Sequence, residues 1–288
     1  MSIHRIELQH LTLTRVGYVD VPIPPEAAGL TANDFASLDW RTPDWTEGDQ
    51  LRAGAAAWFA DVADTRLVFD PVQAADDVLR ADRASERTHQ QAIADVFAEA
   101  EFARESVDCL VLTHIEGVGM VAWRNEDDSW SPFFPNARIL VSDVALREFL
   151  DSQPEGSSDL EYHAWHALID QGVVESYVDG EVIVPGVRAE VKGGHCAGHA
   201  IIHFGSANGG AEASMLGHLA ISPVHLATGE CPQQHEDSAL AWSLLQAVAE
   251  DGRKLIGPLW PAPGSGRWLA GVFVTDDDKN SRDGKTNR

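Results

Sequence analysis

Apolar and polar residues alternate from Ile3 to Tyr18, the period of strands that bury one face. Residues 19–50 break that pattern with VPIPPEAAG and then DWRTPDWTEGD. They read as a long irregular excursion, a kind of segment that often carries function. Ala55–Ala60 and Thr65–Asp70 predict a hairpin ending at Phe69-Asp70-Pro71. The charged, Ala-rich stretch Ala75–Arg104 suits one helix or two. Val107–Leu112 is a short apolar run expected as a buried strand, and it runs out at Thr113-His114. Val121–Arg124 and Arg138–Val141 predict further strands, and Val144–Leu150 and Tyr162–Gln171 predict helices. From residue 173 the strand pattern returns in VVESYV, EVIV, VRAEV, HAIIHFG and EASMLG. Ala239–Asp251 is an amphipathic helix with Leu240, Leu244, Leu245 and Val248 on one face, and Leu255–Gly257 closes as a short strand or turn. Two blocks of strands, each followed by helices, favour two packed sheets with helices outside, a four-layer α/β arrangement.

Composition narrows the function classes. The chain has 288 residues, 44% hydrophobic and 23% charged, which is globular. Forty-five acidic against 21 basic residues give a net charge of −24. Such a surface repels phosphate backbones and anionic membranes, so nucleic acid and membrane are set aside as partners in favour of a small molecule. No run reaches the roughly 20 apolar residues of a bilayer span. The opening MSIHRIELQHLTLTRVG lacks the apolar core and cleavage site of a secretory signal, so a cytoplasmic location is expected. Cys109, Cys196 and Cys231 have no CxxC spacing, which fits a reducing compartment and no zinc knuckle. The polar tail from 275 to 288 is expected to be disordered, leaving 1–274 as a single domain.

The candidate chemistry lies in the 12 histidines, several of which sit where a predicted strand runs into a glycine-rich turn. His114 and Glu116 follow the 107–112 strand, His195 and His199 lie in GGHCAGH, and His218 follows SMLG. Residues i and i+2 at a strand end point the same way, so His114 and Glu116 can share one metal. Imidazole and carboxylate suit zinc or ferrous iron. His163 and His166 read as helix-surface positions and His203 as packing. His4, His10, His89, His225 and His235 are assigned no partner.

Several segments, in order, resemble the metallo-β-lactamase-fold hydrolases, especially the branch with the N-acyl-homoserine lactonases. Thr65–Pro71 resembles the strand that ends in a buried aspartate. Val107–His114 resembles the strand leading into T-H-x-H-x-D-H, and Phe134–Arg138 the F-P-N-A-x segment. Gly194–His199 resembles G-H-T-P-G-H, Gly217–Leu226 resembles G-D-x-x-H-x-P-x-Q-L, and Gly257–Arg267 the closing G-T-H-F-P-x-P-G-x-G-R. The resemblance implies a four-layer αββα sandwich of two mixed sheets flanked by helices.

It also implies a degenerate metal site. The family's first histidine is His114 and the third of the first site is His195, whereas Glu116 stands for the second and His218 for the bridging aspartate. The second-site ligands are replaced by Val118, Gly119 and Leu259, none of which coordinates a cation. A two-metal clamp is therefore not expected. The implied site is one zinc or iron ion on His114, Glu116, His195 and His218, or no metal at all. Asp70 and His199 would support it from behind, and His218 and Glu116 would be the catalytic groups. Trp40, Trp45 and Trp58 are expected to line the substrate pocket. The implied activity is hydrolysis of a lactone, ester or thioester. A lyase, cyclase or iron-dependent oxygenase, and a ligand-binding pseudoenzyme, are the competing readings.

Overall fold

The computed structural model describes residues 1–31, 33, 45–71, 83–115, 120–152, 160–206, 210–229 and 235–275. Strands β1 (Ser2–Glu7), β2 (Thr12–Ile23), β3 (Thr46–Glu47), β4 (Gln50–Val62) and β5 (Thr65–Phe69) open the chain. Helix α1 (Arg83–Glu99), β6 (Cys109–Val111), the ribbon β7 (Ala122–Arg124) and β8 (Trp130–Pro132), and β9 (Arg138–Ser142) follow. Helices α2 (Asp143–Asp151) and α3 (Leu160–Asp170) then lead to β10 (Val174–Tyr177). The second half carries β11 (Val182–Val184), β12 (Val187–Val191), β13 (Ala200–Gly205), β14 (Ala211–Met215), α4 (Val224–Thr228) and α5 (Ser238–Glu250). It closes with β15 (Lys254–Ile256), β16 (Ser265–Leu269) and β17 (Val272–Thr275).

One sheet has the order β1-β2-β4-β5-β6-β9-β10, with β3 pairing on β4; the other runs β11 to β17 in sequence order. Both are mixed: β5-β6, β6-β9, β9-β10 and β14-β15 are parallel, and their neighbours are antiparallel. Strand alternation builds the layers. In β4, Trp58 and Ala60 face the second sheet and meet Ile202, Phe204 and Met215, while Ala57 and Phe59 face Phe97 of α1 and its surroundings. Phe69 and Phe204 join the sheets edge to face, with ring centroids 5.0 Å apart. On the far side Ala241, Leu245 and Val248 of α5 cover Ile201 and Leu255. The result is the expected four-layer αββα sandwich.

Local chemistry fixes the ends that matter. Ser142 caps α2 by accepting from Ala145 N at 3.0 Å, and Asp237 caps α5 by accepting from Leu240 N at 2.9 Å. The β4-β5 hairpin turns through Ala63 and Asp64, both at positive φ.

Three expectations are corrected. Residues 19–50 are not irregular throughout: β2 continues to Ile23, which pairs with Leu51, and Thr46–Glu47 adds to β4. Proline hides this in the sequence, yet pairing with β4 satisfies the backbone. Leu240 is 38% exposed, because the buried stripe of α5 is Ala241, Leu245, Val248 and Ala249. Thr275, expected in the polar tail, is a buried member of β17; residues 276–288 lie outside the described residues. Strands β8, β16 and β17 add to those that the sequence pattern predicts. No described helix is long and apolar enough to cross a membrane.

Candidate metal centre

The parallel strands β5 and β6 end side by side, and their last turns carry Asp70 and Thr113-His114. On the second sheet the turn before β13 carries His195 and His199, and the short turn after β14 carries His218. These ends share one rim. Backbone hydrogen bonds hold them together: Ala200 N donates to Thr113 O at 2.8 Å, and Leu216 N to Ile256 O at 2.9 Å.

His114, His195 and His218 converge there, with ligand atoms all within 4.8 Å of one another. Their ring centroids are 4.8 Å (114–195), 4.7 Å (114–218) and 5.3 Å (195–218) apart. The first two are buried and His218 is half-buried. Glu116 lies outside the described residues, as do Val118 and Gly119.

Asp70 reaches His114 through Thr113. Its Oδ1 accepts from Thr113 N at 2.8 Å and its Oδ2 from Thr113 Oγ1 at 2.7 Å. The hydroxyl has a single proton, given to the carboxylate, so toward His114 Nδ1 at 2.9 Å it accepts. Nδ1 of His114 therefore carries hydrogen and Nε2 presents its lone pair to the cluster, the relay by which a ligating imidazole is oriented.

His199 is fully buried, 5.2 Å ring to ring from His114, and neither of its nitrogens has a hydrogen-bond partner among the described residues. Burial first, then the neighbouring histidines, drives its pKa well below the usual imidazole value, so it is neutral. Two close fits seat this turn. A side chain at Gly217, which has φ of +54°, would run into Thr113 and His199, and one at Gly198 would run into Ala145 of α2. Gly198 O also accepts from Ser142 Oγ at 2.6 Å.

His235, for which no partner is expected from the sequence, joins the cluster: its ring lies 5.3 Å from that of His195, and Nε2 donates to His218 O at 3.0 Å. Burial lowers its pKa. The short polar segment ahead of α5 shows no spacing to His195, so only the tertiary fold reveals the contact. His225, also unassigned, donates from Nε2 to Ala28 O at 2.8 Å, and burial lowers its pKa to about 4. His203 is more than packing, since it bonds Ser214 Oγ at 2.9 Å and Glu190 Oε2 at 2.6 Å. Cys109 faces the inter-sheet core, where burial pushes its thiol up to about 11.

The expected substrate pocket is corrected for two of its three tryptophans. Trp58 is fully buried between the sheets. Trp45 is buried edge to face against Trp260 and Phe273, at 5.9 and 5.2 Å. Both are closed off because the strands beside them pair, and neither offers a ring face to a cleft. Trp40 lies outside the described residues.

Leu259 is half-buried on the closing loop, and its carbonyl accepts from Gly54 N at 2.8 Å. The next residue, Trp260, is fully buried and donates from Nε1 to Ala220 O at 2.7 Å. Arg15 reaches the same loop, donating to Trp260 O at 2.9 Å and to Ser2 Oγ at 3.0 Å. Its guanidinium is buried among Gly17, Gly54 and Gly264, and burial lowers its pKa to about 10.

No family model and no curated protein matches the chain. Solved structures do. AidC, a dizinc quorum-quenching lactonase in complex with a product, aligns with a TM-score of 0.72 at 14% identity, over 95% of this chain and 97% of its own. AbOPH, a hydrolase of the β-lactamase superfamily, aligns at 0.71 and 14% identity, over 94% and 95%. A probable metal-dependent hydrolase from Staphylococcus aureus aligns at 0.65 and 14% identity, over 88% and 91%. The chain thus has the metallo-β-lactamase fold.

Proposed function

We propose that this chain is a hydrolase that holds at most one divalent metal ion, on His114, His195 and His218, and acts on a lactone, ester or thioester. The convergence of three imidazoles at one rim carries the reading. The donor set fits the ion. Nitrogen donors suit zinc, and three histidines leave room on the ion for a further donor, water or substrate. The tautomer of His114 also aims a lone pair at the cluster. When bound there, a divalent ion supplies Lewis acidity toward a substrate carbonyl and toward water.

The protein's own groups do the rest. Asp70, through Thr113, keeps Nε2 of His114 unprotonated and facing inward. Neutral, buried His199 backs the His195 turn without adding charge. Glu116, two residues beyond His114, is the proposed carboxylate of the rim, as a further donor or as the group that takes a proton. His218, half-buried at the same rim, is a ligand or that base. The acyl substrate class is supported by the lactonase among the structural neighbours.

Metal analysis of protein purified without chelator tests the reading. At most one equivalent of zinc per chain is expected to survive gel filtration. His218→Ala should weaken the ion's affinity at least tenfold with the far-ultraviolet circular dichroism unchanged. His218→Asp should not create a second site. Hydrolysis of a panel of lactones and esters should be lost in His114→Ala. Two retained equivalents, or unchanged metal and turnover in His218→Ala, would overturn the assignment.

A further inference from the structure

His235 stands beside the triad. Backbone hydrogen bonds fasten the start of its segment to the turn of His195: Glu236 N donates to His195 O at 3.0 Å, and Asp237 N to Gly194 O at 3.0 Å. The His195 and His235 rings are 5.3 Å apart, the same spacing as His195 and His218. A carbonyl only accepts, so Nε2 of His235, 3.0 Å from His218 O, carries the ring's proton in the neutral form. Nδ1 then holds a bare lone pair. It is buried and has no hydrogen-bond partner among the described residues. Polar atoms left so are uncommon in folded proteins and call for an explanation. An imidazole whose one nitrogen donates to a backbone carbonyl while the other is bare is the form in which histidine binds metal.

We propose that His235 is a fourth nitrogen donor to the cation held by His114, His195 and His218, with Nδ1 as the ligating atom. The proposal rests on the single-ion reading above. His235 lies outside the set whose ligand atoms fall within 4.8 Å. The triad itself must also contract on binding, because donors about 2.0 Å from zinc in a tetrahedron are about 3.3 Å apart. A set of imidazoles selects a borderline transition-metal cation such as zinc or cobalt over magnesium or calcium. It leaves substrate to enter as a fifth ligand, an expansion that zinc accepts. His235 would then supply from the segment before α5 a donor that the closing loop, with Leu259, does not.

Cobalt(II) and zinc(II) titrations against a chromophoric chelator, on wild type, His235→Ala and His235→Gln, test it. Wild type should bind one equivalent, and both variants should bind at least tenfold more weakly with unchanged melting of the ion-free protein. Glutamine keeps an N–H that can reach His218 O but is a poor ligand for these cations. Wild-type affinity in His235→Gln would therefore reduce His235 to a positioning residue and overturn the proposal. So would wild-type affinity in His235→Ala. A wild type that binds no cobalt or zinc overturns the single-ion reading together with this one. Should the variants fail to fold, nitrogen-15 histidine spectra of wild type decide. Addition of zinc should move the Nδ1 resonance of His235, and an unmoved resonance overturns the proposal.

Discussion

The histidine rim and the closing loop Gly257–Arg267 lie at the same edge of the sandwich, reached by the neighbouring parallel strands β14 and β15, and they are built in opposite ways. The rim is crowded with imidazoles, and nitrogens of His199 and His235 lack hydrogen-bond partners among the described residues. The loop is satisfied by packing: Trp260 is buried against Trp45 and Phe273, its indole donates to Ala220, and Arg15 caps its carbonyl. Packing and these local hydrogen bonds hold the loop in its course although it carries Leu259 where the family resemblance would place a ligand. Unsatisfied buried nitrogens occur beside the loop as well, at Trp45 Nε1 and Arg15 Nε, so what sets the rim apart is the gathering of imidazoles at one point; such departures from local consistency are expected at functional sites. The difference therefore directs attention to the rim.

The largest effect that sharpens this contrast is expected in the loop. Trp260→Ala should destabilise the protein by about 3–5 kcal/mol, the range for deleting a buried aromatic. Urea unfolding measures it, and a loss under about 1 kcal/mol would show that the loop is not held by packing. Next comes acid. Buried His225 stays neutral in the fold, with its pKa lowered to about 4, while the unfolded chain protonates near 6.5. As pH falls below 6.5 the unfolded state takes up a proton that the folded state refuses. Stability from this group is full above pH 6.5 and is lost progressively down to about pH 4, by about 3 kcal/mol. Urea midpoints at pH 6.5 and 4.5 for wild type and His225→Gln should show the variant losing less.

Thr113→Val removes the hydroxyl between Asp70 and His114 and should cost about 1–3 kcal/mol. It should also weaken zinc binding, which Trp260→Ala should not do while folded. Equal ion affinity in Thr113→Val would break the link between Asp70 and the rim. The smallest effect is expected from deleting residues 276–288, which contain no apolar side chain. A change under about 0.5 kcal/mol moves the melting temperature by less than about 2 °C. A drop of 5 °C would show that the tail docks.

Much of the fold was legible because strand periodicity is local. The runs of β6, β13 and β14 were marked by their apolar residues, and the histidines by their place just beyond them. What escaped was tertiary. Trp45 and Trp58 read as pocket residues because an aromatic-rich segment before a core looks like a lid, and only pairing on β4 turns it inward. Leu240 missed the core because a shift of one position rotates a helical face by about 100°, and the small Ala241 fills the buried place instead. His235 had no motif around it, and His225, though inside the stretch Gly217–Leu226, had no partner readable there, since their partners are carbonyls 17 and 197 residues away. A backbone acceptor leaves no mark in the sequence.

Arg15 shows how far such coupling extends. A side chain at Gly17, Gly54 or Gly264 would strike its guanidinium or stem, and these glycines lie on β2, on β4 and in the closing loop. The four positions therefore cannot drift one at a time. Alanine at any of the glycines forces the guanidinium to shift, and a smaller residue at 15 leaves Trp260 O and the glycine-lined space without their occupant. Among diverging descendants of this chain, the arginine and the three glycines should be inherited or abandoned as a set, while the residues around them change independently.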